Sequence, residues 1–415
     1  MSTSHVIVGN GIAGSSAAET IREHDPDADI TVLTDEGEAL YNRILIKEFA
    51  KGKLPEAPIS IQEPGWYEER DIDLELNTHV QRVDADAHEL HTHEGETYEY
   101  DKLLVATGGT PKSLSSFGVD NADADGVHHF WTFEDARAIR EHAEDAETGV
   151  VVGAGLLGID LAAVCGAQGI DAKYLMRGNR WWRYALSLQG AEIVHDGLEE
   201  IGVEPVFDSG VDSFEVDDDG HVEAAVDPNG ERYECDFAGV AIGLNFNTEL
   251  IEDTPLETDD GVVVDEFMRT NVDNVYAAGD ITAFNDLVLG EQAKNGSWGS
   301  AKEQGTVAAR NMIDYGSEEF RWVSSYSITH FDFPFLSFGH PTLGDDSVEA
   351  TTADGEWRRV ALKDGKVVGG VLIGDLSPQS AFKQLMREGR DVSDHADHLM
   401  EPGFAVDDLP ASPEQ

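Results

Sequence analysis

Two segments of the chain share one pattern, in which a short apolar run leads into a glycine turn and then a helical stretch. The first run is His5–Val8, followed by the turn Gly9–Gly14, and the second is Gly149–Val152, followed by Gly153–Gly158. A continuous apolar run is typical of a strand buried on both faces. A strand, a GxGxxG turn and a helix in this order indicate a dinucleotide-binding unit. The repeated pattern therefore predicts two bound dinucleotides.

The glycines have different expected roles along each turn. In order, they permit the tight turn, the approach of a pyrophosphate, and the close packing of helix on strand. They are Gly9, Gly11 and Gly14 in the first turn, and Gly153, Gly155 and Gly158 in the second. The helix N-terminus behind each turn presents amides and a positive dipole end to an anion. We therefore expect cofactor contacts also from the residues that open each helix: Ile12, Ala13, Leu156 and Leu157.

The strand that follows each unit ends in residues suited to a ribose. Asp35 and Glu36 stand about twenty residues past the first turn, where a carboxylate binds the ribose hydroxyls. Either could serve, and the alternative is two more solvated acids. The strand 172–176 instead ends at Arg177, with Arg180 close behind. Arginine pairs bidentately with a 2′-phosphate, which favours NADPH over NADH, whereas a solvated arginine pair is the alternative.

Length and charge extend this picture. The chain has 415 residues, more than one hydrophobic core usually holds, so two or three domains are expected. Its 28 basic and 82 acidic residues give a net charge of −54, with the acids spread along the whole chain. Such an acidic shell resembles proteins of salt-accumulating halophiles, and we expect the fold to lose stability in low salt. The charge should also repel nucleic acids and anionic membranes, so neither is expected as a partner.

The two cysteines, Cys165 and Cys235, narrow the chemistry further. They are far apart and form no CxxC pair, so a disulfide framework, a zinc site and a cysteine-ligated iron–sulfur cluster lack ligands. We expect Cys165 to be a small buried hydrophobe. Trp181 and Trp182 are expected to pack rather than to stack on a cofactor. We also expect no bound metal. The N-terminus has no leader pattern and no apolar run is long enough to span a bilayer, so a cytoplasmic chain is expected.

Further segments extend the pattern over almost the whole chain. They are Tyr41–Ile44 running on to Gly52, Leu103–Gly109, Gly239–Gly243, Val275–Asp280, and the helix with Trp298, Ala301, Gln304 and Gly305. With the two glycine turns they resemble the FAD-dependent pyridine nucleotide reductases, the superfamily of ferredoxin, rubredoxin and putidaredoxin reductases. The resemblance is strongest to the flavin-binding front half of the large subunit of NAD(P)H-dependent nitrite reductases.

This resemblance implies an α/β fold with two Rossmann-like three-layer domains and a small C-terminal α+β domain. It places a split FAD domain at residues 1–112 and 239–318, an inserted NAD(P) domain at 113–238, and the C-terminal domain at 319–415. Residues 324–393 look like the domain that helps such reductases form a homodimer. A hairpin turn is expected at Lys363–Lys366 between its strands.

The resemblance also implies a set of site residues. FAD belongs to the first turn, and NADPH or NADH to the second. The further FAD and NAD(P) contacts implied are Arg43, Lys47, Val80, Ala106, Thr107, Gly108, Gly243, Gly279, Asp280, Trp298 and Ala301. Lys47 would stabilise negative charge at the flavin edge, and Asp160 takes the place of the glutamate that pairs with such a lysine. The alternative is a surface lysine and a solvated helix aspartate.

The implied activity is FAD-dependent NAD(P)H oxidoreduction. A hydride passes from NAD(P)H to FAD, and electrons continue to an acceptor such as an acidic ferredoxin, a rubredoxin or a separate terminal reductase. Residues 41–52 contain no redox cysteine, which argues against disulfide chemistry. The siroheme domains of nitrite reductases have no counterpart, so we expect no nitrite reduction by this chain alone. Two alternatives are a type II NADH:quinone dehydrogenase, which the acidic tail 395–415 disfavours, and a FAD- and NAD-binding redox sensor.

Overall fold

A computed structural model describes residues 2–294, 296–353 and 355–409. Its backbone groups into two compact units. Unit 1 consists of Met1–Asn42, Ala57–Thr110 and Asn245–Ser324. Unit 2 consists of Arg43–Glu56, Pro111–Leu244 and Ser325–Gln415. Each unit is therefore built from three separate stretches of chain.

The α-helices of the described ranges are α1 Ile12–His24, α2 Ile46–Ala50, α3 Pro64–Glu68, α4 Phe133–Ala143, α5 Leu156–Gln168, α6 Leu188–Glu200, α7 Trp298–Ile313 and α8 Gln379–Glu388. None of them is both long and apolar enough to cross a membrane. The helix α4 shows how local sequence sets a boundary. Thr132 accepts from the Asp135 amide and Asp135 accepts from the Thr132 amide, which is a capping box.

The β-strands of the described ranges are β1 Ser4–Val8, β2 Asp29–Leu33, β3 Ile72–Glu75, β4 Val80–Asp84, β5 Glu89–Thr92, β6 Thr97–Glu99, β7 Lys102–Val105, β8 Gly109–Pro111, β9 Val127–His129, β10 Thr148–Val152, β11 Asp171–Met176, β12 Val203–Phe207, β13 Ser213–Val216, β14 Val222–Val226, β15 Arg232–Glu234, β16 Phe237–Val240, β17 Leu244–Phe246, β18 Val262–Val264, β19 Val275–Ala277, β20 Thr282–Asp286, β21 Glu291–Ala293, β22 Ser325–Ile328, β23 Phe335–Gly339, β24 Asp346–Ala353, β25 Glu356–Lys363 and β26 Lys366–Ile373.

Unit 1 is organised around a parallel sheet of order β19-β7-β1-β2-β3. The apolar run of β1 lies between β2 and β7, and its residues Val6, Ile7 and Val8 are buried. The return strand β19 pairs with β7, so Val275 lies beside Leu103. This register brings the segment 275–280 to the same edge of the sheet as the first glycine turn. Carboxyl ends of parallel strands are where such sheets bind ligands.

Unit 2 contains a second parallel sheet, of order β12-β11-β10-β16-β9. The predicted domain boundary at residue 239 falls inside β16, which pairs with β10 from Gly149↔Phe237 to Val152↔Val240. This strand therefore belongs to the sheet of the second glycine turn rather than to that of the first. Backbone pairing, which the residue pattern does not reveal, decides the assignment.

The C-terminal part of unit 2 is an antiparallel sheet of order β22-β23-β26-β25-β24, packed against α8. Lys363 pairs with Lys366, and the residues between them, Asp364 and Gly365, have φ values of 49° and 73°. This left-handed pair is the two-residue turn that the twist of a hairpin favours, so the predicted hairpin is confirmed. The predicted fold class is confirmed as well. The three-domain division and the homodimer stay predictions.

Candidate functional site

The first glycine turn is held by close backbone approaches. Gly9 has φ of 107°, and its amide donates to Leu33 O at 2.7 Å. A Cβ at Gly9 would overlap the Ala106 carbonyl, and one at Gly14 would overlap the Gly9 carbonyl. Any larger residue at these two positions would push the helix and the neighbouring strand away from the turn. The roles predicted for both glycines agree with this geometry.

Gly11 differs from its neighbours because it faces open space. A Cβ built there meets no described heavy atom within 4 Å. Gly11 is also the N-cap of α1, and no side chain of the described residues caps that end. The turn therefore has room for an anion at an uncapped helix N-terminus.

A buried network of polar side chains lies next to this turn and includes Asn10 from the turn itself. The Tyr67 hydroxyl lies 2.9 Å from Asn10 Oδ1 and 2.8 Å from Gln62 Oε1, and Ser15 Oγ donates to Gln62 Oε1 at 2.5 Å. Asn10 is 6% exposed, and its Nδ2 has no partner among the described residues. A buried donor left unpaired costs free energy unless a ligand satisfies it. The residues present therefore fit a phosphate-bearing cofactor.

Helix α7 and the segment before β20 complete this end of unit 1. A Cβ at Gly279 would lie 3.1 Å from Ala13 Cβ and 3.9 Å from Ala301 Cβ, so the three predicted contact residues lie together. The Gly279 amide donates to Oε1 of the fully buried Gln304 at 2.7 Å. Trp298, half-buried, is the first residue of α7, and Asp280 directly follows Gly279. The structure thus unites residues more than 250 positions apart in sequence.

The two ribose candidates differ in their surroundings. Asp35 is exposed, whereas Glu36 is half-buried and its Oε2 accepts a hydrogen bond from the Tyr41 hydroxyl at 2.6 Å. Glu36 is therefore an oriented acceptor, because its carboxylate is held by a neighbour. Asp35 has the environment of a solvated acid.

The remaining FAD candidates of unit 1 lie after β7 and at the start of β4. Thr107 and Asn247 are joined by two hydrogen bonds of 3.0 Å, from Thr107 Oγ1 to Asn247 O and from Asn247 Nδ2 to Thr107 O. Gly108, with φ of 62°, accepts from the Asn247 amide. Val80 is buried in the hydrophobic core of the unit. Its side chain is packed against protein, so only its backbone could meet a ligand.

The second glycine turn has the same geometry as the first. Gly153 has φ of 115°, and a Cβ there would overlap the Ala241 carbonyl, just as one at Gly9 would overlap the Ala106 carbonyl. A Cβ at Gly158 would overlap the Gly153 carbonyl, and one at Gly155 would again meet nothing within 4 Å. In each turn, the first and last glycines lie close to a backbone carbonyl and the middle glycine faces open space. This shared geometry supports two dinucleotide sites.

A loop after β11 covers part of the second turn. The Trp182 amide donates to Ala154 O at 3.2 Å, and Trp181 Nε1 donates to Gly155 O at 3.3 Å. Trp181 is fully buried against Trp182 and Phe335, which confirms its predicted packing role. Gly243, which has φ of 106°, accepts from the Lys112 amide.

The two predicted phosphate-binding arginines have different environments. Arg180 donates from Nε to Leu186 O, from one terminal nitrogen to Asn179 Oδ1, and from the other to Arg183 O, at 2.8–2.9 Å. Its guanidinium therefore holds the loop together. Arg177 is exposed, and no acceptor in the described ranges pairs with its guanidinium. Arg177 is accordingly the arginine whose donors are available to a ligand.

Lys47 and Asp160 lie together in unit 2, on α2 and α5. Lys47 Nζ is 3.5 Å from Asp160 Oδ1, and the two side chains are 10% and 6% exposed. Asp160 also accepts from the Tyr326 hydroxyl at 2.9 Å and from His330 Nε2 at 2.5 Å. The alternative of a surface lysine beside a solvated aspartate is therefore wrong. The predicted contact between Lys47 and a flavin stays a prediction.

The surroundings of Asp160 decide its charge. Burial by itself would raise its pKa, but the hydrogen bond from His330, the charge of Lys47 and the hydrogen bond from Tyr326 together bring the pKa below its usual range. Burial and the neighbouring Asp160 charge raise the pKa of Tyr326 well above its usual value. Asp160 is therefore a buried carboxylate at neutral pH, 3.5 Å from Lys47 Nζ.

Arg43 and the two cysteines are further residues of unit 2 for which the sequence made a prediction. Arg43 donates to Trp131 O at 2.8 Å and lies over the Trp131 ring. Burial raises the pKa of the Cys165 and Cys235 thiols to about 12, which makes both poor nucleophiles. Cys165 is fully buried, as predicted. Within the described ranges, no three His, Cys, Asp or Glu side chains form a metal-binding group.

Sequence reasoning missed the partners of Asp160 and the network below the first turn. Tyr326 and His330 lie 166 and 170 residues away from Asp160 along the chain. A lone tyrosine and a lone histidine carry no local signal, so only the folded chain reveals their common partner.

Comparison with known proteins agrees with this site. Residues 3–305 match the family model of the pyridine nucleotide-disulphide oxidoreductases, and residues 328–390 match the C-terminal domain of rubredoxin NAD+ reductase. The assimilatory nitrate reductase electron transfer subunit of Bacillus subtilis is 26% identical, over 98% of this chain and 52% of that protein. The chain thus spans about half the length of that relative.

Two further matches, one relative and one solved structure, cover most of both chains. The rubredoxin-NAD(+) reductase of Pseudomonas putida is 29% identical over 74% of this chain and 79% of that protein. A crystal structure of the covalent putidaredoxin reductase–putidaredoxin complex superposes with a TM-score of 0.91 at 22% identity, covering 98% of this chain and 97% of that one.

These matches confirm the predicted resemblance, the oxidoreductase class and the dependence on FAD and NAD(P)H. The family match extends over both glycine turns and over α7 up to Gly305. The chain belongs to the pyridine nucleotide-disulphide oxidoreductase family.

Proposed function

We propose that the chain holds FAD at the turn 9–14 and exchanges NAD(P)H at the turn 153–158, passing electrons through the flavin to a separate acceptor. The observation that carries this proposal is the repeated turn geometry, with one open glycine in each unit, Gly11 and Gly155. The first turn is surrounded by α7, Gly279 and the Asn10 network, which suits a cofactor that stays bound. The second turn is instead contacted by the loop after β11, through Trp181 and Trp182.

The chain's own residues bind and orient in this scheme. A bound FAD would supply the hydride and electron transfer chemistry, so no protein nucleophile would be needed. The uncapped N-termini of α1 and α5 would bind the two pyrophosphates. Cys165 and Cys235 are buried thiols that cannot relay electrons as a disulfide pair. Lys47, held by Asp160, would stabilise negative charge on the reduced ring.

Glu36, rather than Asp35, is proposed to bind the FAD ribose, because Tyr41 orients its carboxylate. Glu36→Gln should weaken FAD binding about tenfold, the loss expected for one charge-assisted hydrogen bond. Asp35→Asn is the matched control on the adjacent exposed residue. The dissociation constant of each apoprotein for FAD, measured by flavin fluorescence quenching, checks the prediction. Equal weakening in both variants would contradict it.

NADPH is proposed as the preferred donor because Arg177, directly after β11, has a guanidinium that pairs with no acceptor among the described residues. Arg177→Ala should lower kcat/KM for NADPH about 10- to 100-fold, the value of a charge-assisted bidentate pair, and leave NADH nearly unchanged. Arg232→Ala is a matched control, since Arg232 is already paired with Glu215 and Glu234. An equal loss for both nucleotides would remove Arg177 from phosphate recognition.

The acceptor is proposed to be a small redox protein of the ferredoxin or rubredoxin kind, or a separate terminal reductase. Support comes from the relatives, which are named as an electron transfer subunit and as a rubredoxin reductase. Protein reduced anaerobically by NADPH should pass electrons rapidly to such a protein in high salt, where the acidic surfaces are screened. Faster turnover with a quinone would favour a quinone dehydrogenase. Reduction without turnover on any acceptor would favour a sensor.

A further inference from the structure

Asp160 lies at the centre of a buried polar chain that the proposed function does not explain. On one side is Lys47, and on the other His330 Nδ1 lies 2.7 Å from Lys51 Nζ, which donates to Glu48 Oε1 at 2.8 Å. The side chains of His330 and Lys51 are each 1% exposed, and that of Glu48 is 23% exposed. A buried lysine, histidine and aspartate in series are costly to assemble unless each is satisfied.

The order of donors along this chain fixes the histidine tautomer. A lysine ammonium has three donors and no acceptor. Burial lowers the pKa of Lys51, whereas its 2.8 Å hydrogen bond to Glu48 raises that pKa and favours the ammonium. His330 must therefore accept from Lys51 at Nδ1 and carry its proton at Nε2. That proton points at Asp160 Oδ1, 2.5 Å away. Burial lowers the pKa of His330, which agrees with a neutral ring.

A neutral His330 orients the Asp160 carboxylate without neutralising its negative charge. Tyr326 and His330 each donate one hydrogen bond to it, one to each carboxylate oxygen, and neither donor carries a charge. The carboxylate is thus oriented without being neutralised, so its charge remains for Lys47. A protonated His330 would instead form an ion pair with Asp160, and the positive charge of Lys47 would then lack a matching negative charge.

We propose that His330 is a positioning residue which, held as the neutral Nε2–H tautomer by Lys51, orients the Asp160 carboxylate and leaves its charge to Lys47. Among the described residues, Lys53 near α2 and Tyr174 on β11 are further ionisable groups that act on members of the cluster. The inference rests on the proposed role of Lys47 toward the flavin. It assigns to the C-terminal segment, through His330 and Tyr326, a part in tuning that role.

Three variants of the FAD-loaded protein test the inference by turnover. His330→Leu removes the donor, His330→Gln keeps a neutral donor, and His128→Leu removes a histidine of the same unit that bonds to His142 instead. His330→Leu should lower kcat with NAD(P)H and ferricyanide about tenfold without changing KM, the usual cost of losing a supporting hydrogen bond. His330→Gln should stay within about twofold of the wild type. Equal turnover in His330→Leu and His128→Leu would overturn the inference.

A second readout needs no cofactor. Nitrogen NMR of isotope-labelled histidine in the apoprotein should show His330 as the neutral Nε2–H tautomer between about pH 6 and pH 8. In Lys51→Met, no ammonium donates to Nδ1, so the ring should no longer be held in the Nε2–H form. A doubly protonated ring or an Nδ1–H tautomer near neutral pH would overturn the inference. If the wild-type holoprotein is not reduced by NAD(P)H, the proposed function fails, whereas these spectra still decide the state of His330.

Discussion

Replacing Gly11 by valine should weaken FAD binding about 30-fold, so that flavin is lost on gel filtration, while the apoprotein stays folded. The Gly11 backbone has φ of −68° and ψ of −176°, an extended conformation that valine also adopts. Its Cβ would meet no described atom within 4 Å, so the apoprotein loses little. The same space must receive the pyrophosphate, and overpacking there costs about 2 kcal/mol, or roughly 30-fold in affinity. Flavin content after gel filtration and the melting temperature of the apoprotein measure the two effects.

Gly155→Val is the matched control in the second turn. Gly155 also has an extended backbone, with φ of −105°, and also faces open space. This variant should keep its FAD and lose reduction by NAD(P)H to a similar extent. Gly9→Val, by contrast, should destabilise the fold itself, because the valine Cβ would overlap the Ala106 carbonyl oxygen. Loss of FAD from the Gly155 variant, or retention of FAD by the Gly11 variant, would contradict the assignment of the sites.

Breaking the Lys47–Asp160 pair should cost more stability than removing a surface pair. Asp160→Leu leaves Lys47 buried without its partner, and the free energy of unfolding should fall by about 3–5 kcal/mol. The double variant with Lys47→Met should recover much of this loss, because two matched apolar groups replace the buried pair. Arg232→Ala, which breaks an exposed pair, should lower the free energy of unfolding far less than Asp160→Leu does. Denaturant unfolding in high salt measures all of these.

The cost of Asp160→Leu should also depend on pH. The folded-state pKa of Asp160 lies below its ordinary value of 3.8, so its carboxylate stabilises the fold fully above that value. The contribution is lost as the pH falls below 3.8 through the folded-state pKa. The difference between wild type and Asp160→Leu should therefore shrink only in strong acid. A difference that disappears near neutral pH would show that Asp160 is not charged in the fold.

The local parts of the site could be predicted from sequence. Each glycine turn is a contiguous motif whose chemistry depends on neighbours in the chain, so the close approaches at Gly9 and Gly14 could be predicted. The proximity of Lys47 and Asp160 followed from resemblance to a family. The hairpin at Asp364 and Gly365 followed from turn chemistry.

The parts that depend on distant segments could not be predicted. His330 reaches Asp160 across 170 residues, and a single histidine gives no sign of its partner. The pattern around Arg180 indicated a phosphate ligand, but its nitrogens bind loop carbonyls that only the folded loop brings near. The apolar strand at Phe237–Val240 suits either sheet, and its pairing with β10 decides.

The most direct test of the account is the cofactor content of the purified protein, followed by its reduction. After extensive gel filtration in high salt, we expect one FAD per chain and no bound nicotinamide. Anaerobic NADPH should then bleach the visible flavin absorbance in both wild type and Cys165→Ala/Cys235→Ala protein. Nicotinamide that stays bound in place of FAD, or a flavin that bleaches only when the cysteines are present, would contradict the account.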